Sequence, residues 1–169
     1  MALRQGRRNK RGRRARDRHA LVWGLLTLAW AGWCAASAET ALIVGRAETD
    51  AAASECHIPI TLEPDTNAKV CGVQCELRFD GEVWELDRLE SGPAATAAQK
   101  SVSNNLIAPG RCRIIVAGIN QNALGNGTLA EACFKLRGGA PPAETPIALE
   151  AIVLCNAQGE SLPVRGESG

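Results

Sequence analysis

The sequence predicts an all-β fold: a two-layered β-sandwich of about nine strands, preceded by a cleavable signal peptide. Three observations lead there. A basic stretch followed by an apolar one opens the chain. Clusters of Gly, Pro, Asn and Asp break the remainder at short intervals. Between those breaks apolar residues recur at every second position, and no long segment keeps a 3.6-residue period.

The opening segment carries Arg4, Arg7, Arg8, Lys10, Arg11, Arg13, Arg14, Arg16 and Arg18 against one acid, Asp17. Leu21 to Ala35 is apolar apart from Thr27 and closes on Ala36-Ser37-Ala38, small residues of the kind a signal peptidase accepts. The expected organisation is a signal peptide over 1–38, cut after Ala38, and one β-sandwich domain over 39–169. An apolar run of about 15 residues is short of the roughly 20 that span a bilayer, so no stable membrane insertion is expected after cleavage. Trp33 stands before Cys34 where a lipoprotein signal carries a small residue, and the arginine pairs lack the continuation of a twin-arginine signal. The expected location is secreted or periplasmic, in a bacterium.

Cleavage changes the charge. The whole chain has 19 Lys and Arg against 18 Asp and Glu. Nine of the bases leave with the signal and only one of the acids, so the mature part has 10 bases, 17 acids and a net charge of −7. A phosphate backbone is repelled by such a surface, which excludes nucleic acid as the expected partner.

Six cysteines remain after Ala38: Cys56, Cys71, Cys75, Cys112, Cys133 and Cys155. An even count in an exported chain points to disulfides. Cys71 and Cys75 have no second close pair, and His57 is the only histidine left, so no metal and no cofactor are expected.

The strands follow in order. Ala41 to Ala47 is the first. Cys56, Ile58, Ile60 and Leu62 mark one face of the second, which ends at Glu63-Pro64-Asp65. The third is the clearest: Cys71, Val73, Cys75, Leu77 and Phe79 alternate with Gly72, Gln74, Glu76 and Arg78, one face apolar and the other polar, up to the Asp80-Gly81 turn. Val83 to Leu89 is the fourth, followed by Ser91-Gly92-Pro93 and an Ala-rich link to Gln99. Val102 to Ile107 reads as a short edge strand. Arg111 to Gly118 comes next, with Cys112, Ile114 and Val116 on one side. After the loop from Asn120 to Gly127, Thr128 to Arg137 turns Ala130, Ala132, Phe134 and Leu136 inward. Ile147 to Cys155 is nearly continuously apolar, and Ser161 to Arg165 closes the set. So many strands in so short a chain are accommodated by two packed sheets.

The order of these signals resembles the cohesin-like domains of secreted bacterial proteins, over about Leu42 to Val164. The resemblance is carried by Val73-Gln74-Cys75-Glu76-Leu77-Arg78-Phe79-Asp80, the Ser91-Gly92 turn, Ala108-Pro109-Gly110, Gly118-Ile119-Asn120, Gly127-Thr128-Leu129-Ala130 leading into Phe134, and Asn156-Ala157-Gln158-Gly159-Glu160. It implies a jelly-roll β-sandwich related to carbohydrate-binding modules, with a dockerin-like extracellular protein as partner. The six cysteines, the single domain and the lack of a dockerin-like calcium loop depart from the family's usual pattern. By the family's strand order the third strand lies between the eighth and the sixth, and the second beside the seventh. That order would pair Cys71 with Cys155, Cys75 with Cys112 and Cys56 with Cys133, although Cys133 alternates out of phase with the core residues around it. The partner face it implies is the sheet of the third, fifth, sixth and eighth strands, presenting Gln74, Glu76, Arg78, Arg111 and Arg113; an ordinary solvated sheet face would look the same.

Other chemistry is thinly supplied. Sugar binding needs exposed rings, and the mature part has only Phe79, Trp84 and Phe134, the two phenylalanines in core phase. Trp84 with Asn120, Gln121 and Asn122 is the candidate glycan contact, with a core role for Trp84 as the alternative. Glu82, Glu85, Asp87 and Glu90 are spaced as a solvated strand edge rather than a glycosidase pair. His57 lies in phase with polar positions and beside a cysteine, with no sign of a nucleophile to serve. Asn126-Gly127-Thr128 reads as a turn, and Asp80 as a turn cap. The sequence thus predicts no enzyme but a secreted, non-catalytic cohesin-like module that binds protein or carbohydrate in association with polysaccharide catabolism. A direct carbohydrate-binding module and a structural envelope domain are the alternatives.

Overall fold

Every second residue of Glu55–Glu63 is buried, and this strand lies at the centre of one of two sheets in the computed structural model. The structure describes residues 39–46, 48–49, 55–138 and 146–168; the expected signal segment, 1–38, lies outside them. The described elements are β1 (Ala41–Val44), β2 (Glu48–Thr49), β3 (Glu55–Glu63), β4 (Gly72–Arg78), β5 (Trp84–Ser91), α1 (Pro93–Ala97), β6 (Ser101–Ala108), β7 (Arg111–Ala117), β8 (Gly127–Leu136), β9 (Ala148–Cys155), β10 (Ser161–Leu162) and β11 (Arg165–Glu167).

One sheet runs β11-β1-β3-β8-β5, with β2 pairing the start of β3; the other runs β10-β9-β4-β7-β6. All pairings are antiparallel except β1 with β11. The third predicted strand, β4, lies between β9 and β7, and β3 lies beside β8, as the strand order of the resemblance implied. The two inner faces form one core. Leu42, Ile58, Ile60, Leu62, Ala132 and Phe134 from the first sheet meet Val73, Cys75, Leu77, Ile114, Val116 and Leu154 from the second. Phe79 packs edge-on against Phe134, with ring centroids 4.9 Å apart, a favoured geometry for aromatic pairs.

Three local readings are corrected. The final strand expected over Ser161 to Arg165 is two short strands, β10 and β11, one on each sheet, because the chain crosses between the layers at Pro163-Val164. The Ala-rich link holds the helix α1, started by Pro93 at its first turn, where a missing N–H costs nothing; Ala94, Ala95 and Ala98 bury their methyl groups in the core. The edge strand β6 runs the full eight residues Ser101–Ala108. Its turn into β7 depends on Gly110, at φ +73°. A Cβ there would stand 2.4 Å from the Phe79 carbonyl oxygen, and Phe79 N–H donates to the Gly110 carbonyl at 2.9 Å.

Candidate functional site

Alternation places Gln74, Glu76 and Arg78 of β4 and Arg111 and Arg113 of β7 on the outer face of the five-stranded sheet, since Val73, Cys75, Leu77, Cys112, Ile114 and Val116 are all buried inward. Register then forms rows across this face. Glu76 stands opposite Arg113 on one side and Glu150 on the other, while Gln74 lies between Ile115 and Val153. The β4–β9 pair carries a bulge between these two rows, with Ala151 at φ +49° within it.

The facing glutamates would repel, and three arginines resolve that. Arg113 Nη2 donates to Glu76 Oε1 at 2.7 Å and Arg111 Nε to Glu76 Oε2 at 2.7 Å. Arg78 Nη1 donates to Glu150 Oε1 at 3.1 Å, and Arg111 Nη2 lies 4.0 Å from Glu150 Oε2. Glu76 is only 4% exposed although it is on an outer face. The Arg113 hydrogen bond holds its carboxyl below the usual carboxylate range; burial opposes this and Arg111 adds to it. Beside this ionic row sit two open apolar side chains, Ile115 at 39% and Val153 at 45% exposure. A pinned charge network next to an apolar strip is a surface with little side-chain freedom left to lose on docking.

The candidate glycan contact does not assemble. Trp84 is 7% exposed and belongs to the core, with no open ring for a sugar to stack on. It stands at the first residue of β5, whereas Asn120 and Asn122 bind the chain beyond the other end of that strand. Asn120 Nδ2 donates to the Gln99 carbonyl at 2.9 Å, and Asn122 Nδ2 to the Ala98 carbonyl at 3.2 Å. These amides fasten a loop; Gln121 supplies its carbonyl to the Cys71 thiol at 3.5 Å.

The structure holds no disulfide among the six described cysteines, which stand as free thiols. Register explains why. Cys56 points into the core opposite Phe134, while Cys133 stands opposite His57 on the other side of that sheet. Cys155 lies opposite Gly72, an outward position, and its sulfur would be 2.8 Å from a Cβ there, whereas Cys71 turns its thiol to the Lys69 and Gln121 carbonyls. Cys75 and Cys112 share the core face but are diagonal neighbours, Cys75 opposite Ile114 and Cys112 opposite Leu77; diagonal spacing of about 7 Å exceeds ordinary disulfide reach. Burial, with Cys112 and Glu76 nearby, pushes the Cys75 thiol up to about 12.

On the outer face of the other sheet, sequence spacing gave no hint of a cluster that the fold assembles. His57 Nδ1 lies 2.7 Å from Glu131 Oε1 and 3.4 Å from Cys133 Sγ. The available signal was that His57 and Cys133 both fall out of phase with the apolar residues of their strands, which puts both on one face without showing that the strands are neighbours.

A family model described as the cohesin domain matches residues 40–162. No curated protein matches the chain at a significant level. Among solved structures the chain is similar to a non-cellulosomal cohesin from the hyperthermophilic archaeon Archaeoglobus fulgidus, at 20% identity and a TM-score of 0.63, covering 78% of this chain and 88% of that one. It is also similar to the sixth cohesin of Acetivibrio cellulolyticus scaffoldin B, solved in complex with a Cel5 dockerin, at 11% identity and a TM-score of 0.67, covering 78% and 96%. A third likeness is to a type I cohesin–dockerin complex from Clostridium thermocellum, at 12% identity and 0.67, again covering 78% and 96%. These identities speak for the fold, and the family model spans most of the sequence: the chain belongs to the cohesin domain family.

Proposed function

We propose that this chain is a non-catalytic binding module that is exported, loses residues 1–38, and docks a dockerin-like protein through the outer face of the β10-β9-β4-β7-β6 sheet. The observation that carries the reading is the row of Glu76, Arg113 and Glu150 locked beside exposed Ile115 and Val153, a charge-and-apolar surface held rigid before any partner arrives. Two structurally similar cohesins were solved in complex with dockerins, and one similar module belongs to a family 33 glycoside hydrolase of Clostridium perfringens. A similar module carried by a glycoside hydrolase supports a setting in carbohydrate breakdown, and we place the association of this module and its partner with polysaccharide catabolism there as part of the same proposal.

The test is a surface-plasmon or pull-down assay of the purified protein against a panel of dockerins and the secreted proteins of the producing organism. Ile115→Glu and Arg113→Glu should each weaken capture by about tenfold or more, as central contacts do, while Lys135→Glu on the opposite sheet should leave it unchanged. Equal capture by all three variants would overturn the assignment of this face.

A further inference from the structure

The register of β3 against β8 sets His57 directly across from Cys133, and Glu131 lies two residues along β8 on the same outer face. The imidazole is therefore the common vertex of three donors of different chemistry, and His57 Nδ1, Glu131 Oε1 and Cys133 Sγ all lie within 4.8 Å of one another. We propose that these three atoms form a binding site for a borderline divalent cation, Zn2+ being the type, on the sheet opposite the docking face.

The geometry can be compared with what such an ion needs. Tetrahedral zinc, with bonds of about 2.0 Å to nitrogen and about 2.3 Å to sulfur, separates those two ligand atoms by about 3.5 Å. The His57 Nδ1–Cys133 Sγ distance is 3.4 Å. An imidazole nitrogen and a carboxylate oxygen on the same ion stand about 3.3 Å apart; the observed 2.7 Å is a direct hydrogen bond, which opens by about half an ångström when the metal replaces the shared proton. His57 and Glu131 side chains are 37% and 42% exposed, giving an ion a route in and a solvent-facing fourth position, while Cys133 is 1% exposed and closes the floor.

The surroundings favour a cation. On this face Glu55, Glu90 and Glu131 lie around Cys133, with Arg88 directly across the strand pair from it, and the bases are already paired: Arg88 with Glu55, Asp87 and Glu90, Lys135 with Asp87. Glu55 Oε2 lies 3.9 Å from His57 Nε2, on the far side of the ring, where a carboxylate orients a metal-bound imidazole. Bound as a thiolate, a carboxylate and a neutral imidazole, the three ligands balance the two positive charges of the ion. That donor set, one soft, one borderline and one hard, suits zinc and its neighbours rather than magnesium or calcium.

The experiment is a titration of the purified, reduced protein with Co2+ alone, read by absorption, followed by Zn2+. A sulfur-to-cobalt charge-transfer band should grow to one equivalent, vanish on adding Zn2+, and persist in excess Mg2+ or Ca2+. Cys133→Ser and His57→Ala should each abolish it, and Glu131→Gln should weaken Co2+ affinity by at least about tenfold. Cys155→Ser, at the half-buried thiol of the other sheet, should keep the band, and circular dichroism verifies that each variant is folded. If Cys133→Ser fails to fold, Glu131→Gln decides the matter. No band in the wild type, or a band that survives Cys133→Ser or is indifferent to Glu131→Gln, overturns the proposal.

Discussion

Glu76 accepts a 2.7 Å hydrogen bond from Arg113 across the β4–β7 pair and is almost fully buried on a face where Arg78, two residues further along, is exposed. The bond makes this carboxylate part of the sheet's structure, and its ionisation is thereby linked to folding.

Because the folded pKa of Glu76 is depressed, its contribution to stability is complete above the unfolded value of about 4.3 and is lost as pH falls through the lower folded value. Arg113→Ala should therefore lower the urea midpoint at neutral pH, and the gap from wild type should narrow in acid below the folded pKa, where the carboxyl is neutral in both proteins. Denaturation curves at neutral and acid pH measure this. An equal gap at the two pH values would show that the guanidinium acts by packing alone.

Trp84 is a core residue, so Trp84→Ala should cost about 3–5 kcal/mol of stability, the range for removing a buried aromatic. Chemical denaturation gives the number. Migration through a polysaccharide-affinity gel should not change, and glycan retardation that disappears in this variant would contradict the buried placement.

Burial separates the thiols by reactivity. Cys75, pushed up to about 12, and Cys56 and Cys112, both raised chiefly by burial, should resist iodoacetamide in the native protein near pH 8. Cys155 is only partly buried and should react first. After unfolding all six should be modified, as peptide mass spectrometry would register; rapid native labelling of Cys75 would refute the ordering.

Gly110→Ala should destabilise by about 1–3 kcal/mol, because the left-handed backbone and the 2.4 Å approach to the Phe79 carbonyl both exclude a side chain. A Cβ at Gly125 would meet no atom within 4 Å, and Gly125→Ala should stay within about 0.5 kcal/mol of wild type. Thermal melts of the two variants side by side make the comparison.

Alternation in the sequence was enough to divide β4 and β7 into an inward and an outward set, because successive side chains on a strand point to opposite sides whatever lies beside it. The inward positions Ile58, Leu77, Ile114 and Phe134, and the outward sets Gln74, Glu76 and Arg78 on β4 and Arg111 and Arg113 on β7, follow from that rule; that the two outward sets share one face rests on the pairing of β4 with β7, which the family resemblance implied and the register shows. Alternation carries no information about what lies across a strand pair. The three disulfide pairings needed register as well as strand order, and a shift of one residue sends a sulfur to the wrong side of the sheet. Trp84 was equally ambiguous, since one ring at a strand's first residue can close a core or open onto solvent.

Periodicity along the chain thus suffices to build this protein from strands in two layers and to set the buried face of β3, β4 and β7. Which residues meet is settled in the folded chain alone: Glu76 with Arg111 and Arg113 across 35 and 37 positions of sequence, and His57 with Cys133 across 76. Contacts between strands depend on the pairing partner and the register, which are set by packing of the whole core and are written in no single segment.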